Sequence, residues 1–214
     1  MFKWFCRLIF KINGWESVGE ELVKHRRCIV VAAPHTSNWD LIYMLATFDI
    51  VGLPVKFTIK RSWMRFPLNL LIEPVGGLGI DRRPREETGE RPSMVEAMIS
   101  LFDEREGDLA LAITPEGTRS LRTRWKSGFY HVAKGADLPI LLGFLDYEKK
   151  QAGVGKIIYP SGDYEADMRE IMDFYKDISP HSPAKYSVDQ RFVGGEDGAV
   201  DERISEEVGE PQPS

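Results

Sequence analysis

Cys28-Ile29-Val30-Val31-Ala32-Ala33-Pro34-His35-Thr36-Ser37-Asn38-Trp39-Asp40 is the stretch that decides the fold. Its first half is apolar and β-branched with no polar alternation, which describes a strand buried in the middle of a sheet. Pro34 ends that run. Ser37 is a good N-cap residue, and the segment from Trp39 to Val51 carries a helical pattern. A buried strand that runs through a short polar loop into a helix is the unit from which α/β domains are assembled.

The same alternation continues outward. Strands are predicted at Cys28–Ala33, Val55–Ile59, Leu109–Thr114, Pro139–Leu145 and Lys156–Tyr159. Helices are predicted at Trp39–Val51, Ser93–Glu104, Ser127–Gly135 and Tyr164–Tyr175, the second opened by the capping box Ser93-Met94-Val95-Glu96. The fold class that follows is a single α/β domain with a mixed, largely parallel central sheet flanked by helices. In open sheets of this kind ligands bind beyond the carboxyl ends of the strands. Two strands here end in polar clusters: His35 to Asp40, and Thr114-Pro115-Glu116-Gly117-Thr118-Arg119-Ser120.

With Ser37 as the cap, Asp40 occupies the third helical position and can turn back toward the residues before the helix. A carboxylate there can accept a hydrogen bond from His35, fix its tautomer and stabilise the imidazolium that forms when the ring takes a proton. That makes His35 a candidate general base. The same residues also satisfy a structural reading, in which Ser37 to Asp40 caps the helix and the histidine bonds backbone. The second cluster turns at Pro115 and Gly117 and continues through Arg119, Arg122, Arg124, Lys126 and Lys134, with no acid between Glu116 and Asp137. Such a run suits an anion, because the arginine fork matches phosphate oxygens; a solvated basic loop is the alternative.

Other chemistries are excluded. Gly77-Leu78-Gly79-Ile80-Asp81-Arg82 has arginine where a dinucleotide fingerprint needs its third glycine, and Pro84 opposes a following helix. No phosphate-binding loop of the Gly-x4-Gly-Lys type, Gly-x-Ser-x-Gly elbow or zinc spacing of Cys and His occurs. Cys6 and Cys28 stand in unlike contexts and read as small hydrophobes. A net charge of only +1 over 1–186 conflicts with a nucleic-acid surface, so no nucleic-acid partner is expected.

At 214 residues with 43% hydrophobic and 29% charged side chains, the chain can bury one sizeable core. Its formal charge of −5 is unevenly spread: eight acids against Arg191 and Arg203 put 187–214 at −6, which leaves +1 on 1–186. The segment 187–214 reads as a disordered acidic tail. No apolar run reaches the roughly 20 residues of a membrane-spanning helix. Residues 1–13 instead form an amphipathic interfacial helix, with Lys3, Arg7 and Lys11 on one side and Phe2, Phe5, Leu8, Ile9 and Ile12 on the other. Docking of that helix on the protein's own core is the other reading. The apolar segment Trp63–Ile72 reads as a channel lining, as a segment that dips into the membrane, or as a core helix interrupted by Pro67.

Taken together, the motifs resemble those of the glycerolipid acyltransferases typified by 1-acyl-sn-glycerol-3-phosphate acyltransferase. His35-Thr36-Ser37-Asn38-Trp39-Asp40 is similar to that family's His-x4-Asp signature, and Pro115-Glu116-Gly117-Thr118-Arg119-Ser120 to its Pro-Glu-Gly-Thr-Arg-Ser block. Lys126 and Gly128 match the Lys-x-Gly that follows, and Lys60 with Gly79-Ile80-Asp81-Arg82 is similar to the second motif. The fourth block departs from the family: Leu138-Pro139-Ile140-Leu141-Leu142-Gly143 keeps one proline of a usual pair, which puts the acceptor in question more than the chemistry.

The resemblance implies an acyltransferase domain over 14–186 that moves a fatty acyl group from a thioester to a hydroxyl of a lysolipid, 1-acyl-sn-glycerol-3-phosphate giving phosphatidic acid. His35 and Asp40 would be catalytic. Arg82, Arg119 and Lys126 would hold the acceptor phosphate, with Glu116, Gly117 and Thr118 completing the acceptor site; Glu116 and Gly117 would position the glycerol backbone or support the turn, and Glu116 paired with an arginine in a purely architectural role is the alternative. No bound cofactor or metal is implied, and acyl-CoA or acyl carrier protein is the thioester co-substrate. The partners are the lysolipid, the acyl donor and a membrane surface met by residues 1–12, at the cytoplasmic inner face. The competing readings are the same chemistry on another lysophospholipid, glycerol-3-phosphate or an amino-acid lipid, and a non-catalytic lipid-binding protein.

Overall fold

A computed structural model of the chain describes residues 2–60, 64, 66, 69–80 and 91–193. In chain order the elements are α1 (Phe2–Ile12), β1 (Glu16–Val18), β2 (Arg27–Ala32), α2 (Trp39–Ile50), β3 (Val55–Lys60), α3 (Asn69–Ile72), β4 (Gly77–Ile80), α4 (Met94–Asp103), β5 (Leu109–Ile113), α5 (Gly128–Gly135), β6 (Ile140–Asp146), β7 (Gln151–Ile158) and α6 (Tyr164–Tyr175). The described strands form one seven-stranded sheet in the order β1-β7-β6-β2-β5-β3-β4. All neighbouring pairs are parallel except β6 and β7, which run antiparallel. The expected mixed, largely parallel α/β domain is the one observed.

The central strands are apolar on both faces because each face is covered. Ile29, Val31, Leu111, Ile140 and Leu142 point into a core shared with α4, α5 and α6. Cys28, Val30, Ala110, Ala112 and Leu141 alternate to the other side, where Phe48 of α2 meets them. The register sets Val31 beside Ile113 and Ala32 beside Gly143, so β6, β2 and β5 end at one edge of the sheet in adjacent positions. The buried Tyr175 of α6 secures this edge from beneath, its hydroxyl donating to Val31 O at 3.1 Å and Gly143 O at 2.8 Å.

α1 docks on α2 through part of its apolar surface. Cys6 and Phe10 are buried with Tyr43 and Ala46 of α2, while Lys3 and Arg7 reach Asp49 of α2 at 3.7 and 3.4 Å. Trp4, Phe5, Leu8 and Ile12 remain exposed. The apolar residues are thus divided between the protein's own core and solvent, more than one amphipathic face needs for docking alone.

Residues 187–193, which the charge pattern groups with the acidic tail, pack on the domain. Val188 and Asp189 are buried, and Asp189 accepts hydrogen bonds from Trp125 N (2.8 Å) and from the Arg191 guanidinium (2.7 Å). The Trp125 indole donates to Ser187 O at 3.0 Å, and Gln190 N to Thr123 O at 2.9 Å. An acid paired in this way counts as a structural residue, which composition does not reveal. Residues 187–193 therefore belong to the domain, and 194–214 lie outside the described residues. Burial pushes the Asp189 carboxyl up, but Arg191 and the two backbone N–H donors outweigh it and hold the group below its ordinary value. The stability this supplies is present at neutral pH and is lost as the pH falls through the folded value. Asp189→Ala is expected to cost about 2 kcal/mol, read as a lower urea midpoint at pH 7, because it leaves Trp125 N–H without a partner.

Candidate active site

β2 ends at Ala32 and the chain turns through Pro34 and His35 before α2 begins at Trp39. The helix therefore starts with Asn38 in the capping position, one residue later than the Ser37 cap the sequence suggests. Ser37 Oγ instead accepts from Trp39 N at 3.2 Å. Asp40 still turns back as expected: its Oδ2 accepts from Thr36 N at 2.7 Å and Ser37 N at 2.8 Å. Because two N–H groups already occupy that oxygen, His35 Nδ1 stands 3.6 Å from it, an ion-pair distance and longer than the direct hydrogen bond expected. The histidine side chain is 22% exposed and the aspartate 4%.

Burial pushes the His35 pKa below its ordinary value of 6.5, Asp40 opposes this, and the Arg119 charge adds to it. The imidazole is consequently neutral at neutral pH, the form that can accept a proton. Asp40 remains close enough to stabilise the cation once it forms.

The neighbouring strand end supplies the second cluster. Gly117 N donates to Thr114 O at 3.1 Å and Lys126 N to Pro115 O at 2.9 Å, which ties the Gly117 turn to the start of α5. Gly117 has φ +67°, and a Cβ there would lie 2.8 Å from Lys126 Nζ, so glycine serves both the backbone shape and the ammonium packed across it. Thr118 Oγ1 accepts from Ser120 N at 3.3 Å, a bond within the turn. Arg119 and Lys126, with Gly117, line a cavity of about 750 Å³ that also receives His35 and Asp40. Away from these charges its wall is apolar, with Leu41, Met44, Phe48, Phe57, Met98 and Phe129. Arg122 and Arg124 are exposed and outside that lining.

Of the roles open to Glu116, its position favours support of the turn over contact with an acceptor. It is 2% exposed, and its Oε1 accepts the His35 backbone N–H at 2.7 Å. It does not line the cavity, and its Oε2 is buried with no hydrogen-bond partner among the described residues. Burial raises its pKa from 4.5 to about 7; the His35 N–H opposes the rise and Asp40 adds to it. Glu116 thus joins the two clusters from below.

The most informative residue that sequence reasoning missed is Tyr147, one position beyond β6. Its hydroxyl donates to Asp40 Oδ1 at 2.6 Å. The available signal was its place at the end of a strand paired with β2. Arg82 lies outside the described residues, as does the Lys60 side chain. Of the Trp63–Ile72 segment, Trp63, Arg65, Pro67 and Leu68 lie outside the described residues, and Phe66 and Leu70 are exposed.

The family model described as Acyltransferase matches residues 15–141, more than half of the chain. Among solved structures the fold is similar to the 1-acyl-sn-glycerophosphate (LPA) acyltransferase PlsC from Thermotoga maritima. The two share 17% identity with a TM-score of 0.51, over 84% of this chain and 80% of that one. No curated protein sequence matches.

Proposed function

We propose, given that the chain belongs to the Acyltransferase family, that it moves a fatty acyl group from an acyl thioester to a hydroxyl of a lysolipid, with 1-acyl-sn-glycerol-3-phosphate as the acceptor and phosphatidic acid as the product. The observation that carries this reading is one cavity with two unlike kinds of lining. A histidine backed by a buried carboxylate and two cations share it with apolar side chains that suit an acyl chain. The similarity to PlsC, named for that acceptor, supports the choice among lysolipids.

In this mechanism Arg119 and Lys126 bind the acceptor phosphate and so bring its free hydroxyl to His35. His35 Nε2 removes the hydroxyl proton as the oxygen attacks the thioester carbonyl, and Asp40 compensates the imidazolium. Collapse of the tetrahedral intermediate breaks the carbon–sulfur bond. The imidazolium returns its proton to the departing thiolate, so no covalent acyl-enzyme is needed. Thiol release from acyl-CoA and from acyl carrier protein, each with lysophosphatidate and then with other lysophospholipids, glycerol-3-phosphate and an amino-acid lipid, tests the proposal. Turnover confined to another acceptor would overturn the assignment, and absence of turnover with every pair would overturn the activity.

We further propose that the protein works peripherally at the inner, cytoplasmic face of the membrane, held by α1. No helix among the described residues is long and apolar enough to cross a bilayer. The support is the exposed face of Trp4, Phe5, Leu8 and Ile12, bordered by Arg7 and Lys11. Deleting α1 would also remove Cys6 and Phe10 from the core, so the discriminating variant is Trp4→Glu with Leu8→Glu. It is expected to lower binding to vesicles containing a fifth phosphatidylglycerol by roughly 30-fold at an unchanged urea midpoint. Equal co-sedimentation of variant and wild type would remove the anchor.

A further inference from the structure

The carboxylate of Asp40 is held from both sides of the sheet edge. Its Oδ2 meets two N–H groups of its own loop, whereas its Oδ1 meets Tyr147, which is 107 residues away in sequence. The adjacent ends of β6 and β2 make this contact. The tyrosine ring has little freedom to leave it. Trp15 packs edge-on at 4.9 Å, His181 edge-on at 5.0 Å, and Tyr43 at 5.9 Å. Tyr147 N donates to Ser179 O at 2.8 Å, and Ser182 N to Thr36 Oγ1 at 3.2 Å, so the segment after α6 fastens the tyrosine and the His35 loop together.

We propose that Tyr147 is a positioning residue that tunes the charge on Asp40 and, through it, the protonation of His35. The inference deepens the proposed acyl transfer and rests on His35 being its base. A phenol donating to Oδ1 draws negative charge away from the Oδ2 that faces His35, so Asp40 attracts the ring proton less strongly at rest. Without that donor, Oδ2 stays pinned by its two N–H groups and does not swing away. The consequence is electrostatic: His35 binds a proton more readily and is more often blocked as a base near neutral pH. The other groups that act on this assembly are Glu116 and Arg119 from the β5 turn, Tyr43 from α2 and His181 beyond α6. Of these, Glu116 also feels the Asp40 charge, so the His35 ring C–H titration is read separately from any accompanying change at Glu116.

Tyr147→Phe keeps the ring and removes the donor. The titration midpoint of His35, followed by NMR of its ring C–H, is expected to rise by about half a unit, and the acid limb of kcat/KM by the same amount, with the plateau at high pH within about threefold of wild type. A merely structural tyrosine would move the urea midpoint and leave the His35 titration in place. Site-specific 3-fluorotyrosine at 147, a stronger donor, is expected to move the midpoint down, and it decides the matter should the phenylalanine variant not fold. An unmoved titration in the variant that folds would overturn the proposal. Because that titration needs no turnover, a shifted midpoint in a protein that transfers no acyl group would overturn the proposed function and leave the coupling between Tyr147 and His35 standing.

Discussion

His35→Ala is expected to lower kcat/KM for acyl transfer about a thousandfold, most of it in kcat, with the fold intact. The imidazole is the group placed to take the hydroxyl proton, and in its absence water or the thioester's own leaving group must do so. What makes this variant a clean test is that the ring does not hold the loop. The His35 backbone N–H is bonded to Glu116 and the next two N–H groups to Asp40, and all three bonds survive truncation at Cβ. Asp40→Asn would be a poorer choice, since an amide would face three donors that now share a carboxylate. In wild type, activity should fall on the acid side with a midpoint below 6.5, because burial lowers the His35 pKa. The same shift carries a stability signature: an unfolded histidine takes up a proton near 6.5 while the folded one resists, so wild type loses stability as the pH drops from 6.5 toward the folded value. His35→Ala should lack that loss. A variant within tenfold of wild-type kcat/KM would show that another group removes the proton.

How much of this was legible in the sequence depended on distance along the chain and on packing. β2, β5 and β6 were readable because strands covered on both faces need unbroken apolar runs. β7 was read only from Lys156, yet it starts at Gln151. The part before Lys156 contains Gly153 and Gly155, where a Cβ would lie 1.9 Å from Val18 O and 2.4 Å from the Phe174 ring. Close approach of the neighbouring strand and helix removed the side chains that signal a strand. β4, Gly77-Leu78-Gly79-Ile80, escaped for the same reason, since a Cβ on Gly77 would meet Ile72 at 2.1 Å. At the site, His35 and Asp40 were legible because a strand end and a helix start fix their geometry locally. Tyr147 and Glu116 were not, for opposite reasons. The contact of Tyr147 exists only through the strand order, and the charge of Glu116 left an acceptor contact and a supporting role both open, of which its burial beside the His35 backbone favours the second.

That placement of Glu116 makes the second large prediction, which concerns pH rather than substrate. A carboxyl whose pKa is raised from 4.5 to about 7 in the folded state contributes stability that is fully present below 4.5 and is lost as the pH rises through about 7. The loss amounts to roughly 3 kcal/mol over that window. Glu116→Gln is neutral throughout. Its carbonyl can accept the His35 N–H as Oε1 does now, and its amide nitrogen takes the place of the unpartnered Oε2. Urea unfolding from pH 5 to 8.5 should therefore show near-equal stability of the two proteins at pH 5 and a variant more stable by about 2 kcal/mol at pH 8. Parallel curves would mean that Glu116 is already ionised in the folded protein at pH 5. Kinetics separates the architectural role from the acceptor-binding role. If Glu116 touched the glycerol hydroxyls, Glu116→Gln would raise the acceptor KM at every pH, whereas a support beneath the base leaves that KM unchanged. Glu116→Ala removes the acceptor of the His35 N–H and should lower kcat with the loop, not the substrate, at fault.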